Sequence, residues 1–413
     1  MSKTLAGGRF LTGKIEIQPS KSAAHRAVIC AALAKGRSEI ENIALSDDIR
    51  ATIGCAEALG LARVSVSGGR AVVDGGREEK PRKAVLDCGE SGSTMRFFLP
   101  IAPLTAGKAE FTGRGRLMER PMEPLRSLLI EKGVRWENPC TLSGTYCGGT
   151  FPISGAVSSQ FISGLMFALP LLRERCEIRL TTEPESRGYI EMTRQMQEKF
   201  GISSVWRENT ISVSGRYVPQ KVTVEADWSH AAFYAVAGAI GGRVTMTGLD
   251  ENSAQGDKEI LAILKRMGAR VETKDGGITV RGGYLRGTEI DGSQIPDIIP
   301  ILAVAAAAAD GTTRIYGAGR LRMKECDRLA AMAENLFTLG AGVEELQDGL
   351  VIHGGRKLTG GRIKTRGDHR IAMAMAVASA LTKEEIVIDD GDCVKKSAPA
   401  FWEEYESLGG HAV

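Results

Sequence analysis

Residues that bind and move charge recur in this chain at the starts of segments patterned as helices. Gln18-Pro19-Ser20-Lys21-Ser22 runs into Ala23-Ala24-His25-Arg26 and the apolar stretch AVICAALA. Unbonded backbone N–H groups and the helix dipole make such a start a natural place for an anion. Plain capping with a solvated lysine explains the same residues equally well. Gly89-Glu90-Ser91-Gly92-Ser93-Thr94-Met95-Arg96 follows the short strand pattern AVLDC, and its small residues let backbone N–H groups approach a substrate. It lacks the GxxxxGK[ST] spacing of a nucleotide-binding loop. Arg114-Gly115-Arg116-Leu117-Met118-Glu119-Arg120-Pro121 is a basic loop whose proline suits a first helical turn. Val157-Ser158-Ser159-Gln160 offers three hydrogen-bonding side chains in a row, more than one serine cap requires.

The second half repeats the style. Asp297 closes Gln294-Ile295-Pro296-Asp297 just before an apolar helix, where an acid is most often only a cap. From Arg322 to Arg328 five of seven residues are charged, and Lys324 and Arg328 share a helical face. Asp368-His369-Arg370 opens the run IAMAMAVASAL, and Lys395-Lys396 lies beyond Cys393. Each motif alone decides nothing. Together they aim charged helix starts at a small polyanion held between two domains.

The elements that must position these residues follow a rhythm. An amphipathic helix ending in glycine recurs six times, closing at Gly60, Gly133, Gly201, Gly268, Gly340 and Gly409, and in most copies an alternating strand follows. Glycine suits the residue after a helix because it enters the left-handed region without a Cβ clash. Six such units of roughly seventy residues read as two domains of three. The midpoint falls near Glu225–Trp228, where Asp227 and Ser229 are good caps for the next helix. A length of 413 residues also exceeds one ordinary core.

Composition excludes several classes of function. Net charge is +3 without a polybasic block, and aromatic residues are 5% with no basic–aromatic stripe, so no nucleic-acid partner is expected. The N-terminal segment has no apolar core of a signal peptide. The longest apolar stretch, 298–309, contains Pro300 and falls short of the ~20 residues that span a bilayer. The 8 cysteines are scattered, with no CxxC pair, and read as buried thiols of a reducing cytoplasm. The 5 histidines are dispersed, so no metal site is expected.

The phrases PSKS, SGSTMR, ERPM, SSQF, IPD, LRMKECDR and GDHRIAM, with the late Lys396, come in an order that resembles the 5-enolpyruvylshikimate-3-phosphate synthase family of enolpyruvyl transferases. The resemblance spans nearly the whole chain. It implies an α/β (α+β) fold of two similar domains, each of three βαβαββ units in an inside-out α/β barrel. The first strand would cross back, giving domains at 15–226 and at 1–14 plus 227–413, with the active site in the cleft between them. The implied reaction joins the 5-hydroxyl of shikimate 3-phosphate to phosphoenolpyruvate and releases phosphate, without metal or other cofactor, in a cytoplasmic monomer.

By the same resemblance, Lys21, Ser22, Arg26, Ser158, Ser159, Gln160, Ser186, Tyr189, Asp297 and Lys324 should contact shikimate 3-phosphate. Phosphoenolpyruvate should meet Lys21, Gly92, Arg120, Gln160, Arg328, Arg370 and Lys396. Asp297 is implied as the base near the 5-hydroxyl, with Glu325 and Lys21 as candidates for proton transfer. A carboxylate among many cations suits accepting a hydrogen bond more than strong basicity. Three residues depart from the family pattern: Glu90, Phe97 and Arg320. Gly92 is retained, so sensitivity to glyphosate is expected. The competing expectations are a UDP-N-acetylglucosamine enolpyruvyl transferase, disfavoured because the basic loop 113–124 lacks a cysteine, and a non-catalytic anion-binding protein.

Overall fold

In the computed structural model, which describes residues 1–77 and 79–413, the chain folds as two units. One is Pro19–Glu225; the other joins Met1–Gln18 to Ala226–Val413. The first carries helices α1 (Lys21–Leu33), α2 (Asp47–Ala58), α3 (Gly92–Thr105), α4 (Leu125–Glu131), α5 (Ser159–Ala168) and α6 (Arg187–Lys199). The second carries α7 (Trp228–Ala239), α8 (Ile260–Met267), α9 (Ile299–Ala308), α10 (Arg328–Thr338), α11 (His369–Ala378) and α12 (Phe401–Ser407).

Two kinds of helix alternate along the chain, and sequence explains both. The odd-numbered helices are apolar or small-residue on nearly every face, and almost all their residues are buried. A helix of that composition is stable only where protein covers it on all sides. The even-numbered helices are amphipathic: α8 buries Ile260, Leu261, Ile263, Leu264 and Met267, the spacing of one helical face. Each even-numbered helix ends at one of the six expected glycines. All six take positive φ, from 66° at Gly60 to 109° at Gly268, a region where a Cβ would strain the backbone.

Among the described residues the strands form six open sheets, five of four strands and one of three. In one, Ala84–Asp87 runs parallel to Lys108–Thr112, which pairs antiparallel with Thr141–Ser143, itself antiparallel to Arg135–Glu137. With α3 and α4 between its strands this is a βαβαββ unit. The same order recurs from Gly149–Ile153 and from Glu289–Asp291. Among the described residues no sheet closes on itself: in each unit three separate open sheets lie against the helices, in keeping with the expected fold of three βαβαββ units per domain.

Two units of the repeat take their first strand from far along the chain. Lys221–Thr223 runs parallel to Gly36–Glu41, and Thr12–Glu16 runs parallel to Arg243–Thr247. The last sheet gains Lys3–Leu5 antiparallel to Ile386–Ile388. This corrects the boundary at residue 15, which cuts a paired strand in two. Gln18 belongs with the second unit as well, since its carbonyl accepts from Asp227 N at 2.9 Å and its side chain donates to the Ser397 carbonyl at 3.0 Å.

Candidate active site

In the first unit the odd-numbered helices begin with capped, polar turns. Ser20, Ser91 and Ser158 cap α1, α3 and α5 through their hydroxyls. Lys21 opens α1, with Nζ 2.7 Å from Asp48 Oδ2 at the start of α2. A chain of short contacts then ties three helix starts together: His25 Nδ1 to Thr52 Oγ1 at 2.6 Å, Thr52 to Thr94 at 2.7 Å, Thr94 to Ser91 at 2.7 Å. Burial pushes the His25 imidazole down to about 3, so it serves this chain uncharged.

Arg26 is buried and spans to α6. Its Nε donates to Thr193 Oγ1 at 2.8 Å, Nη1 to the Ser22 carbonyl at 2.7 Å and Nη2 to the Tyr189 carbonyl at 2.8 Å. The guanidinium also lies against the rings of Phe97 and Tyr189. These bonds use three of its five N–H donors and leave one on each terminal nitrogen. Ser186, which precedes α6, is buried in the left-handed region at φ 53°.

Gly92 opens α3 beneath a cationic roof. A Cβ added there would stand 2.9 Å from Arg120 Nη1, 3.6 Å from Arg96 Nη1 and 3.9 Å from Gln160 Oε1. Gln160 is held at both ends, accepting from Arg96 Nη1 at 2.7 Å and donating to Ser93 Oγ at 2.8 Å. Ser159 lies buried beside it on α5.

In the second unit the charged residues converge on Arg328, the first residue of α10, which is 1% exposed. Its Nε lies 2.7 Å from Asp368 Oδ2, Nη1 3.0 Å from Asp297 Oδ1 and Nη2 2.8 Å from Glu325 Oε2. Asp297, in the turn Pro296–Ile298, also meets Arg370 Nε at 3.4 Å and Lys324 Nζ at 3.7 Å. Lys396 reaches Glu325 at 3.4 Å. Burial opposes the Arg328 charge, but Asp368, Glu325 and Asp297 outweigh it and hold the guanidinium protonated. Lys324 is weaker: burial pushes its ammonium down to about 8 against the pull of Asp297.

The structure thus gathers Lys21, Ser22, Arg26, Gly92, Arg120, Ser158, Ser159, Gln160, Ser186 and Tyr189 at connected helix starts in one unit. It gathers Asp297, Lys324, Glu325, Arg328, Arg370 and Lys396 around one guanidinium in the other. Sequence reasoning missed Asp48, the Thr52–Thr94 relay and the pairing of Arg96 with Gln160. It saw Asp368 only as a helix tag, whereas the side chain is fully buried, caps α11 and braces Arg328. Of the departures, Phe97 is a core ring packed on Phe167, Glu90 turns its carboxylate toward Gly115 in the basic loop, and Arg320 donates to the Ser293 carbonyl.

Such cation-lined, hydrogen-bond-rich helix starts suit phosphate and carboxylate groups. The family model described as EPSP synthase (3-phosphoshikimate 1-carboxyvinyltransferase) matches residues 5–405. The chain belongs to the EPSP synthase family. The EPSP synthase match takes in every residue gathered above. A 3-phosphoshikimate 1-carboxyvinyltransferase of Clostridium perfringens (strain ATCC 13124) is 46% identical over 420 residues, covering 99% of both chains. That of Clostridium beijerinckii is 43% identical, covering 97% of this chain and 96% of its own. Among solved structures, EPSP synthase from Acinetobacter baumannii superposes with a TM-score of 0.82 at 27% identity, covering all of both chains. The enolpyruvyl transferase NikO from Streptomyces tendae, 18% identical with a TM-score of 0.80, shares the fold. No helix among the described residues is long and apolar enough to cross a membrane.

Proposed function

We propose that this chain transfers the enolpyruvyl group of phosphoenolpyruvate to the 5-hydroxyl of shikimate 3-phosphate and releases phosphate. The observation that carries this is the full-length family match, and the two charged clusters supply roles. Shikimate 3-phosphate is assigned to Lys21, Ser22, Arg26, Ser158, Ser159, Gln160, Ser186, Tyr189, Asp297 and Lys324. Phosphoenolpyruvate is assigned to Lys21, Gly92, Arg120, Gln160, Arg328, Arg370 and Lys396. Both substrates are polyanions, and cations preset by buried partners offset their charge with little rearrangement.

The 5-hydroxyl oxygen bonds to C2 of phosphoenolpyruvate while its methylene carbon gains a proton, giving a tetrahedral intermediate. Loss of a methyl proton and cleavage of the bond to phosphate complete the exchange. Asp297, facing three cations, accepts the hydroxyl hydrogen and orients the oxygen. Glu325, joined to both Arg328 and Lys396, serves the methylene carbon. Lys21 serves the departing phosphate. The enzyme is assigned to the cytoplasm, as a monomer.

Phosphate release tests this reading. Phosphate should appear with phosphoenolpyruvate and shikimate 3-phosphate, and not with UDP-N-acetylglucosamine as acceptor. Lys21→Ala and Asp297→Ala are each expected to lose roughly 10²–10⁴-fold in kcat/KM. Release with neither acceptor, or only with the nucleotide sugar, would overturn the reading. The pH profile adds a check on Lys324. Since its ammonium loses a proton near 8, the KM for shikimate 3-phosphate should climb as pH rises past about 8. Lys324→Arg, which stays charged, should flatten that rise.

A further inference from the structure

Asp257 is an acid that the mechanism above does not use. It sits in the turn Gly256–Glu259 before α8 and is 3% exposed. The Ser229 hydroxyl, from the first turn of α7, donates to its Oδ2. Its Oδ1 is buried with no hydrogen-bond partner. Among the described residues no lysine, arginine or histidine forms an ion pair with it. The charged groups that act on it are Asp297 before α9, Arg370 on α11 and Asp227 at the start of α7. The one cation among them is engaged elsewhere: Arg370 Nε lies 3.4 Å from Asp297 Oδ1, and Nη1 donates to the Asp297 carbonyl at 3.0 Å.

An ionised carboxylate in that setting would carry a buried, unsatisfied oxygen with two acids acting on it. The neutral acid lowers that cost, because an uncharged buried oxygen loses far less on leaving water than an ionised one. Burial, then Asp297, push the carboxyl up to about 7, against the pull of Arg370 and the Ser229 hydrogen bond. Its change of charge therefore falls near neutral pH, beside Asp297 and Arg370, which are assigned to the 5-hydroxyl and to phosphoenolpyruvate.

We propose that Asp257 is a positioning residue that works in its protonated form and guards the phosphoenolpyruvate end of the site. While neutral it leaves Arg370 aligned on Asp297. Once ionised it competes for that guanidinium and adds a negative charge against the incoming anion. The proposal rests on the assignment of Arg370 to phosphoenolpyruvate.

The test compares the parent with Asp257→Asn, which keeps an acceptor for Ser229 but cannot ionise. Steady-state kinetics are measured at several pH values on either side of 7. The parent's KM for phosphoenolpyruvate is expected to rise relative to the variant's by roughly three- to tenfold as pH passes through 7, a span of up to one pKa unit of interaction. Titration of the substrate's own phosphate is common to both and cancels in the ratio. Ser229→Ala removes a donor that favours the ionised form, so it should move the rise to higher pH. A KM ratio that stays flat in an active enzyme overturns the proposal.

Urea unfolding supplies a measurement without substrate. The folded parent keeps the Asp257 proton up to about 7, whereas the unfolded chain releases it near the ordinary aspartate value of 3.8. Between those values the folded state binds more protons, so parent stability must fall relative to Asp257→Asn as pH rises. Midpoints that keep a constant gap across that window would show the acid ionised throughout and sink the idea. A parent that releases no phosphate sinks the functional reading, and the proposal with it, even where the unfolding gap widens as expected.

Discussion

Arg328→Ala should be the most damaging single change at the candidate site, costing about 3–5 kcal/mol of stability and all measurable enolpyruvyl transfer. Three carboxylates, from Asp297, Glu325 and Asp368, converge on this one guanidinium, which is 1% exposed. Buried ion pairs contribute modestly when intact, because desolvation offsets much of the attraction. Removing the shared guanidinium is different, since it takes the arginine partner from Asp368 and leaves Asp297 and Glu325 to their longer contacts with Arg370, Lys324 and Lys396. The orphaned acids would then favour protonation, so the variant should be least impaired at low pH and lose ground as pH rises. Urea unfolding of parent and variant at two pH values checks this. Arg328→Lys is expected to recover only part of the loss, because an ammonium cannot bond three acids along a planar fork. Adding Asp368→Asn to Arg328→Ala should restore some stability by deleting one uncompensated charge. A stability loss that is unchanged by pH, and by that second substitution, would count against the electrostatic account.

The sixfold rhythm was legible because it rests on local chemistry. Gly60 through Gly409 mark helix ends that only a residue without Cβ enters cheaply, and that demand shows in any sequence. Helix starts were legible for the same reason, since Ser20, Ser91, Ser158, Asp227 and Asp368 cap through their own side chains. Partners far along the chain were not. Lys3–Leu5 finds Ile386–Ile388, and Arg96 finds Gln160, through packing that no local pattern encodes. The same limit hid Asp48 and Asp257. Each reads as an ordinary acid at the start of a helix, and only burial against other elements gives it a distinct role. The boundary at residue 15 failed because a strand that pairs in the other unit looks, from sequence, like the beginning of its neighbour. Phe97, noted as a departure beside the Gly92 loop, falls on the packed side of α3. Its ring belongs to the core, which explains why sequence proximity to the loop was a poor guide.

Gly92→Ala is expected to raise the KM for phosphoenolpyruvate roughly ten- to hundredfold while leaving the fold intact. Gly92 is not among the residues with positive φ, so its backbone accepts alanine without strain. At a helical position alanine is intrinsically preferred over glycine, by up to about 1 kcal/mol. The penalty lies ahead of the backbone. The new methyl would stand 2.9 Å from Arg120 Nη1, closer than such carbons come to nitrogen, and 3.6 Å from Arg96 Nη1. Arg120 is the far end of a long side chain, so it yields rather than unfolding the protein. Yielding moves a cation assigned to the substrate, and a misplaced charge-assisted hydrogen bond is worth about 1.5–3 kcal/mol, which sets the expected range. Glyphosate, expected to occupy the phosphoenolpyruvate place, should inhibit the parent and inhibit this variant more weakly. Two measurements decide the matter together, a steady-state titration of phosphoenolpyruvate and a thermal melt. An unchanged KM would show that Arg120 does not hold the substrate. A raised KM with a collapsed melting temperature would place the damage in folding, and a raised KM with an unchanged or higher one would place it at the guanidinium.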